Sequence, residues 1–104
     1  MIKIRLFCSA GMSTSLMVNK MKAAAQEQGI EADIVAFPES TMDVNSNGAD
    51  VVLLGPQVRF MLQKAEKLLA PKGIPVAVID MKDYGLMNGA NVLAKAIEMK
   101  NNNN

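Results

Sequence analysis

The strongest constraint on the fold is an apolar run that does not alternate. Val51-Val52-Leu53-Leu54, entered from Asp50 and closed by Gly55-Pro56, has no polar face. A strand of this kind must be covered on both sides, as in the centre of a parallel sheet packed with helices. Three more β-type runs accompany this one over residues 50–54: residues 2–7, with Ile2, Ile4 and Leu6 on one face, residues 32–37, and residues 75–79, ended by Asp80. Between them lie segments with helical spacing. The first covers residues 13–28, carries Leu16, Met17, Met21, Ala24 and Ala25 on its apolar side, and stops at Gly29, a natural residue after a helix C-terminus. The second, over 57–69, places Val58, Met61, Leu62, Ala65, Leu68 and Leu69 on one stripe. The third, over 91–100, carries Val92, Leu93, Ala96 and Ile97. Residues 38–49 hold turn formers and at most a short helix.

Strands alternating with helices, joined by right-handed crossovers, predict a doubly wound α/β sandwich. For four strands the economical arrangement is the flavodoxin-like order 2-1-3-4, the layout also used by low-molecular-weight phosphatases. In such sheets a ligand site lies beyond the carboxyl ends of the strands, at the switch point between strands one and three. Three loops converge there: residues 8–14, 55–57 and 80–85. With 104 residues the chain has the size of one domain, assigned to residues 1–100, followed by a polar tail at 101–104 expected to fray.

Composition removes several functions. Eleven Lys and Arg against ten Asp and Glu leave a net charge of +1, so there is no electrostatic case for nucleic acid or an anionic membrane. Four aromatic residues are too few for base stacking as a binding mode. No apolar run reaches the length of a bilayer crossing. One cysteine cannot form an intramolecular disulfide and suits a reducing, cytoplasmic setting. Histidine is absent altogether, which removes an internal Cys-His pair, a His general base and the commonest zinc ligand. No metal or cofactor is expected.

The chemistry concentrates in one segment, Cys8-Ser9-Ala10-Gly11-Met12-Ser13-Thr14-Ser15. It leaves a strand and opens a helix. Small residues at 9, 10 and 11 let the backbone curl, and Gly11 is free to take a positive φ. Successive N–H groups can then turn inward around an anion, at a helix start whose first N–H groups lack intrahelical partners and whose dipole favours negative charge. The hydroxyls of Ser13, Thr14 and Ser15 can cap the helix or donate to phosphate oxygens. The same field favours the thiolate of Cys8, the nucleophilic form. A single cysteine at a strand end is also an ordinary core residue; the Gly-Met-Ser-Thr-Ser continuation is what points to a nucleophile with a phosphate cradle.

This segment, read as CSAGMSTS after a hydrophobic first strand, resembles the active-site loop of the IIB components of the phosphoenolpyruvate-dependent sugar phosphotransferase system, lactose/cellobiose (diacetylchitobiose) class. Further stretches agree in order and spacing: Ala36-Phe37-Pro38-Glu39, ADVVLLGPQ over 49–57, and Val78-Ile79-Asp80 with Tyr84-Gly85. The resemblance implies that Cys8 takes a phosphoryl group from a phosphohistidine on a IIA partner. It then passes the group to a β-linked disaccharide bound by the membrane IIC permease. It also implies a phosphate-binding role for Ser9, Ala10, Gly11, Met12, Ser13, Thr14 and Ser15.

A low-molecular-weight tyrosine phosphatase shares the layout, but its signature places an arginine after five residues, where this chain has Thr14. That clamp is worth orders of magnitude in hydrolysis. Arsenate reductases need further cysteines, and a receiver-like domain needs acidic residues where strands one and three end in Phe7-Cys8 and Leu54-Gly55. A redox-sensing thiol is a further alternative, since a reactive thiolate also oxidises. Secondary candidates are Gln57, able to reach the loop or phosphate but also a plain helix start after Pro56, and Asp80 and Asp83, placed where a phosphatase keeps its acid but equally helix caps. Tyr84 could line the site or a partner interface. Met12, Met42, Met81 and Met87 could form an adaptable docking surface.

Overall fold

The computed structural model describes residues 1–9 and 12–103, with the backbone alone at Met12 and Ser13. Its strands are β1 (Ile2–Cys8), β2 (Ala32–Pro38), β3 (Val51–Leu54) and β4 (Val76–Val78). They form one all-parallel sheet in the order β2-β1-β3-β4. The α-helices are α1 (Met12–Glu27), α2 (Met42–Asn45), α3 (Leu62–Leu69), α4 (Met81–Gly85) and α5 (Gly89–Asn102).

The sheet carries a separate core on each face, and alternation along β1 assigns its residues to them. Ile2, Ile4 and Leu6 pack with Ile34, Val51 and Leu53 under Met17, Met21, Val92, Leu93 and Ala96 of α1 and α5. Phe7 turns the other way, joining Val52, Leu54, Val58, Ala65 and Leu69 on the α3 side, and stacks on Phe37 at a centroid distance of 5.9 Å. Every residue of β3 is buried, as its unbroken apolar run requires. The pleat therefore directs Cys8, two residues beyond Leu6, to the face that α1 covers.

Four expectations change. The segment 57–69 is not one helix: Pro56–Met61 forms 3₁₀ turns, Val58 leaves helical geometry at φ −116° and ψ 25°, and α3 starts only at Leu62. Val58 is drawn into the core while its N–H donates to the Gly55 carbonyl at 3.0 Å. Leu16 is 49% exposed, and Val18 takes the buried position instead. The presumed loop 80–85 contains α4, and the last helix runs from Gly89 to Asn102 rather than over 91–100. Asn103 adds a side-chain hydrogen bond from Nδ2 to the Gly73 carbonyl at 2.9 Å.

α1 and α5 approach closely because α5 begins with a buried glycine. A Cβ on Gly89 would stand 2.6 Å from the Met21 backbone nitrogen and 2.7 Å from Lys20 Cβ. α1 thus crosses α5 backbone to backbone, which fixes the helix whose N-terminus meets Cys8.

Candidate active site around Cys8

Cys8 closes β1, and its neighbours are set by the sheet. The N–H of Gly55 donates to the Phe7 carbonyl at 2.9 Å, so the end of β3 is registered against the residue before the cysteine. On the other side Cys8 pairs with Pro38 at the end of β2. The thiol is 2% exposed.

α1 supplies its partner. Thr14, the third residue of that helix, is fully buried, and its Oγ1 lies 2.9 Å from Cys8 Sγ. Either group can donate while the sulfur is a thiol; to a thiolate the threonine hydroxyl donates. Thr14 is the position expected to cap the helix or meet phosphate oxygens, and the structure turns it toward sulfur.

The loop after β3 closes the site from a third side. Gly55 has φ −63° and ψ 151°, extended backbone open to any residue. Space is what requires glycine. A Cβ there would lie 2.7 Å from Gln57 Oε1, 3.3 Å from Cys8 Cβ and 3.6 Å from Thr14 Cγ2. Gln57 thus comes to the site, and its Nε2 donates to the Tyr84 hydroxyl at 3.2 Å. The two secondary candidates, one in the 3₁₀ turns after β3 and one on α4, form one bridge.

The acids behave differently. Asp80 is the N-cap of α4, its Oδ1 accepting from the N–H groups of Lys82 at 2.8 Å and Asp83 at 3.3 Å. Asp83 is buried and accepts from Asn91 Nδ2 at 2.8 Å and Lys95 Nζ at 3.1 Å. These hydrogen bonds, that from Asn91 foremost and Lys95 next, hold its carboxyl below the usual carboxylate range. Both residues fix α4 and α5. Of the expected phosphate loop, Ala10 and Gly11 lie outside the described residues, as do the side chains of Met12 and Ser13; Ser9 and Ser15 are exposed at its two ends.

Beside the Gln57–Tyr84 bridge lies an open groove of about 620 Å³, lined by Pro56, Gln57, Arg59, Phe60, Met81 and Tyr84. Phe60 and Met81 stand out at 79% and 62% exposure. Met42 is buried, so it forms no part of a docking surface, and Met87 packs partly against the core. Among the described residues no group of three or more His, Cys, Asp or Glu is placed to hold a metal ion, and no helix is long and apolar enough to cross a membrane.

A buried thiol at the end of the first strand of a 2-1-3-4 parallel sheet, 2.9 Å from a hydroxyl in the first turn of α1, defines the class: a small doubly wound α/β protein with a single buried cysteine at the carboxyl end of its sheet. Comparison with known proteins makes this specific. The family model described as PTS system, lactose/cellobiose specific IIB subunit, matches residues 3–95. The chain is 47% identical to the PTS system galactose-specific EIIB component of Lactococcus lactis subsp. cremoris (strain MG1363). It is 46% identical to the cellobiose-specific EIIB component of Lactococcus lactis subsp. lactis (strain IL1403). Each alignment covers 94% of this chain and 95% of the relative. The solution structure of a cellobiose-specific phosphotransferase IIB component from Borrelia burgdorferi superimposes with a TM-score of 0.82 at 43% identity, covering 98% of this chain and 94% of that one. A lactose-specific IIB domain from Streptococcus pneumoniae shares the fold with a TM-score of 0.86 at 15% identity, over 94% and 96% of the two chains.

The chain belongs to the lactose/cellobiose-specific IIB family of the phosphotransferase system, whose members act as phosphotransferases in sugar transport.

Proposed function

We propose that this chain is a cytoplasmic phosphoryl carrier in which the Cys8 thiolate attacks the phosphorus of a phosphohistidine presented by a IIA protein. The S–P bond forms as the N–P bond breaks, and the N–P electron pair stays on the imidazole. In the second half-reaction a sugar hydroxyl oxygen, held by a membrane IIC permease, forms the O–P bond. The S–P pair returns to sulfur and the hydroxyl proton passes to a base beside the sugar. The acceptor is a β-linked disaccharide of the cellobiose or lactose type, in keeping with relatives named for cellobiose and galactose and with a further relative from Bacillus subtilis (strain 168) named for oligo-beta-mannosides. The backbone of residues 9–15 receives the phosphoryl oxygens. No metal, nucleotide or other cofactor takes part.

The observation that carries this reading is the Cys8–Thr14 pair at 2.9 Å, in a chain with one cysteine and no histidine. The donor imidazole has to come from another protein. The same pair speaks against the phosphatase. Thr14 fills, fully buried, the position where that enzyme carries its arginine, and Asp80, where the acid would stand, is engaged as a helix cap. Hydrolysis needs a charge clamp, an acid and an oriented water.

Membranes carrying a cognate IIC, together with IIA, the general phosphotransferase proteins and phosphoenolpyruvate, should form sugar phosphate only when this chain is added, and Cys8→Ser should abolish the product. With p-nitrophenyl phosphate, Cys8-dependent turnover on the order of 1–10 s⁻¹ would identify a phosphatase instead.

A further inference from the structure

The sheet leaves a hollow where its edge strand is thin. Of the three residues of β4, only Ala77 belongs to the face that α1 and α5 cover, and it stands opposite Leu53 in the register. A methyl group fills little of the space between β4 and α5. The result is a cavity of about 450 Å³, of the size that small-molecule sites occupy. Its apolar lining is Leu53, Ala77, Val78, Ile79, Val92 and Met99, the last a flexible thioether able to adapt to a guest. It shares no residue with Cys8, Thr14 or the Gln57–Tyr84 bridge.

The charges around this cavity do not balance. Asp80, Asp83 and Glu98 line it with a single cation, Lys95. That cation is already engaged, its Nζ lying 3.1 Å from Asp83 Oδ2. Glu98 follows Lys95 by three residues on α5, the usual spacing for a helical ion pair, yet among the described residues it has no cation. Asp80 gives Oδ1 to the N–H groups of Lys82 and Asp83, and its Oδ2 takes part in neither bond. An anion entering here would meet two carboxylates without a counter-charge. A cation would supply one.

We propose that the cavity between β4 and α5 binds a small organic cation, an ammonium group on a short apolar chain or ring. The body lies on Leu53, Ala77 and Val92, and the carboxylate of Glu98 holds the ammonium, with Asp80 adding its charge. Both halves of the cavity are needed for this ligand. The buried side chains of Leu53, Ile79 and Val92 reward an apolar body, and the exposed carboxylates select its charge. The inference stands apart from the carrier reading, since it draws on none of the residues that carry the phosphoryl chemistry.

The test titrates the full chain, labelled with ¹⁵N, with phenethylamine at low ionic strength, where exposed carboxylates are least screened. The backbone signals of Ala77, Ile79, Glu98 and Met99 should move saturably, with a Kd of about 1 mM or tighter, the affinity open to so small a ligand. That of Asp33, on the opposite edge strand, should not move. 2-Phenylethanol, the same body without the charge, should bind about tenfold more weakly, the effect of one hydrogen bond to a charged group, and phenylacetate more weakly still. Glu98→Gln, an exposed change that leaves the fold intact, should weaken phenethylamine about tenfold and leave 2-phenylethanol unchanged. Ala77→Leu fills the hollow and should remove both. Signals that do not respond to phenethylamine, phenylacetate binding as tightly as the amine, or an affinity for the amine within twofold of wild type in Glu98→Gln would each overturn the inference. The same signals moving with protein concentration alone would place a second copy of the chain there, and would also overturn it.

Discussion

Replacing Gly89 with alanine places one methyl group where α1 and α5 meet. The added Cβ would lie 2.6 Å from Met21 N, and ordinary contact begins near 3.5 Å, so the helices must part by about 1 Å at the crossing. The obstructing atoms are the backbone of Lys20 and Met21, which cannot rotate aside. Behind them Met17, Met21, Val92, Leu93 and Ala96 are packed without exposure worth relieving. Overpacking of this kind costs about 3 kcal/mol, the upper part of its usual range, because no side chain can yield. The gain in helix propensity is at most about 1 kcal/mol and smaller at the first helical position. The net loss is about 2 kcal/mol. For a domain of this size that lowers the melting temperature by about 8–16 °C. Equilibrium urea unfolding followed by far-ultraviolet circular dichroism would read it directly. Gly85→Ala is the control: nothing lies within 4 Å of its Cβ, and its stability should be unchanged or raised by up to about 1 kcal/mol. A Gly89→Ala protein within about 0.5 kcal/mol of wild type would refute the close approach of the two helices.

Three further outcomes are expected. Thr14→Val is nearly isosteric in a fully buried position, so the fold should survive, while removal of the hydroxyl beside Cys8 Sγ should slow phosphoryl uptake from IIA about tenfold; quench-flow with labelled phosphoenolpyruvate measures it, and an unchanged rate would remove Thr14 from the chemistry. Asp83, held below its ordinary value near 3.8 by Asn91 and Lys95, contributes stability that is present above that value and lost as pH falls through its lower folded value. The stability gap between wild type and Asp83→Asn should therefore be largest near neutrality and shrink below about pH 4, as read by urea midpoints across pH. Asp80→Ala should lower stability by about 1 kcal/mol through the lost cap, with phosphoryl uptake by Cys8 retained within about twofold, since its carboxylate is committed to the N–H groups of Lys82 and Asp83.

The strands were legible because their burial demands it. An unbroken Val-Val-Leu-Leu run has one stable setting, the middle of a covered sheet, and alternation put Ile2, Ile4 and Leu6 together on one face of β1, which the structure packs under α1 and α5. Cys8 stood out as a candidate through the small residues after it and the helix they open, and the structure sets it beside the first turn of that helix. What escaped lies below the reach of periodicity. α4 has five residues, too few to show a stripe, and the kink at Val58 trades helical geometry for a core contact that only the sheet supplies. Leu16 fits the apolar side of α1 by spacing, yet it is half exposed, and Val18 takes the buried position. The Gln57–Tyr84 bridge joins residues twenty-seven positions apart, one in the 3₁₀ turns after β3 and one on α4; each was a candidate alone, but their pairing depends on how strands three and four stand side by side. For Thr14 the residue type suggested a polar role, and only the start of α1 relative to β1 turns its hydroxyl onto sulfur.

The central claim is that Cys8 carries the phosphoryl group, and intact-mass spectrometry tests it most directly. After incubation with phosphoenolpyruvate, the general phosphotransferase proteins and a cognate IIA, the wild-type chain should gain one adduct of about 80 Da. Peptide mapping should place it on the segment containing Cys8, and Cys8→Ser should gain nothing under the same conditions. An adduct of that mass on the Cys8→Ser protein, or on any other peptide of the wild type, would contradict the account.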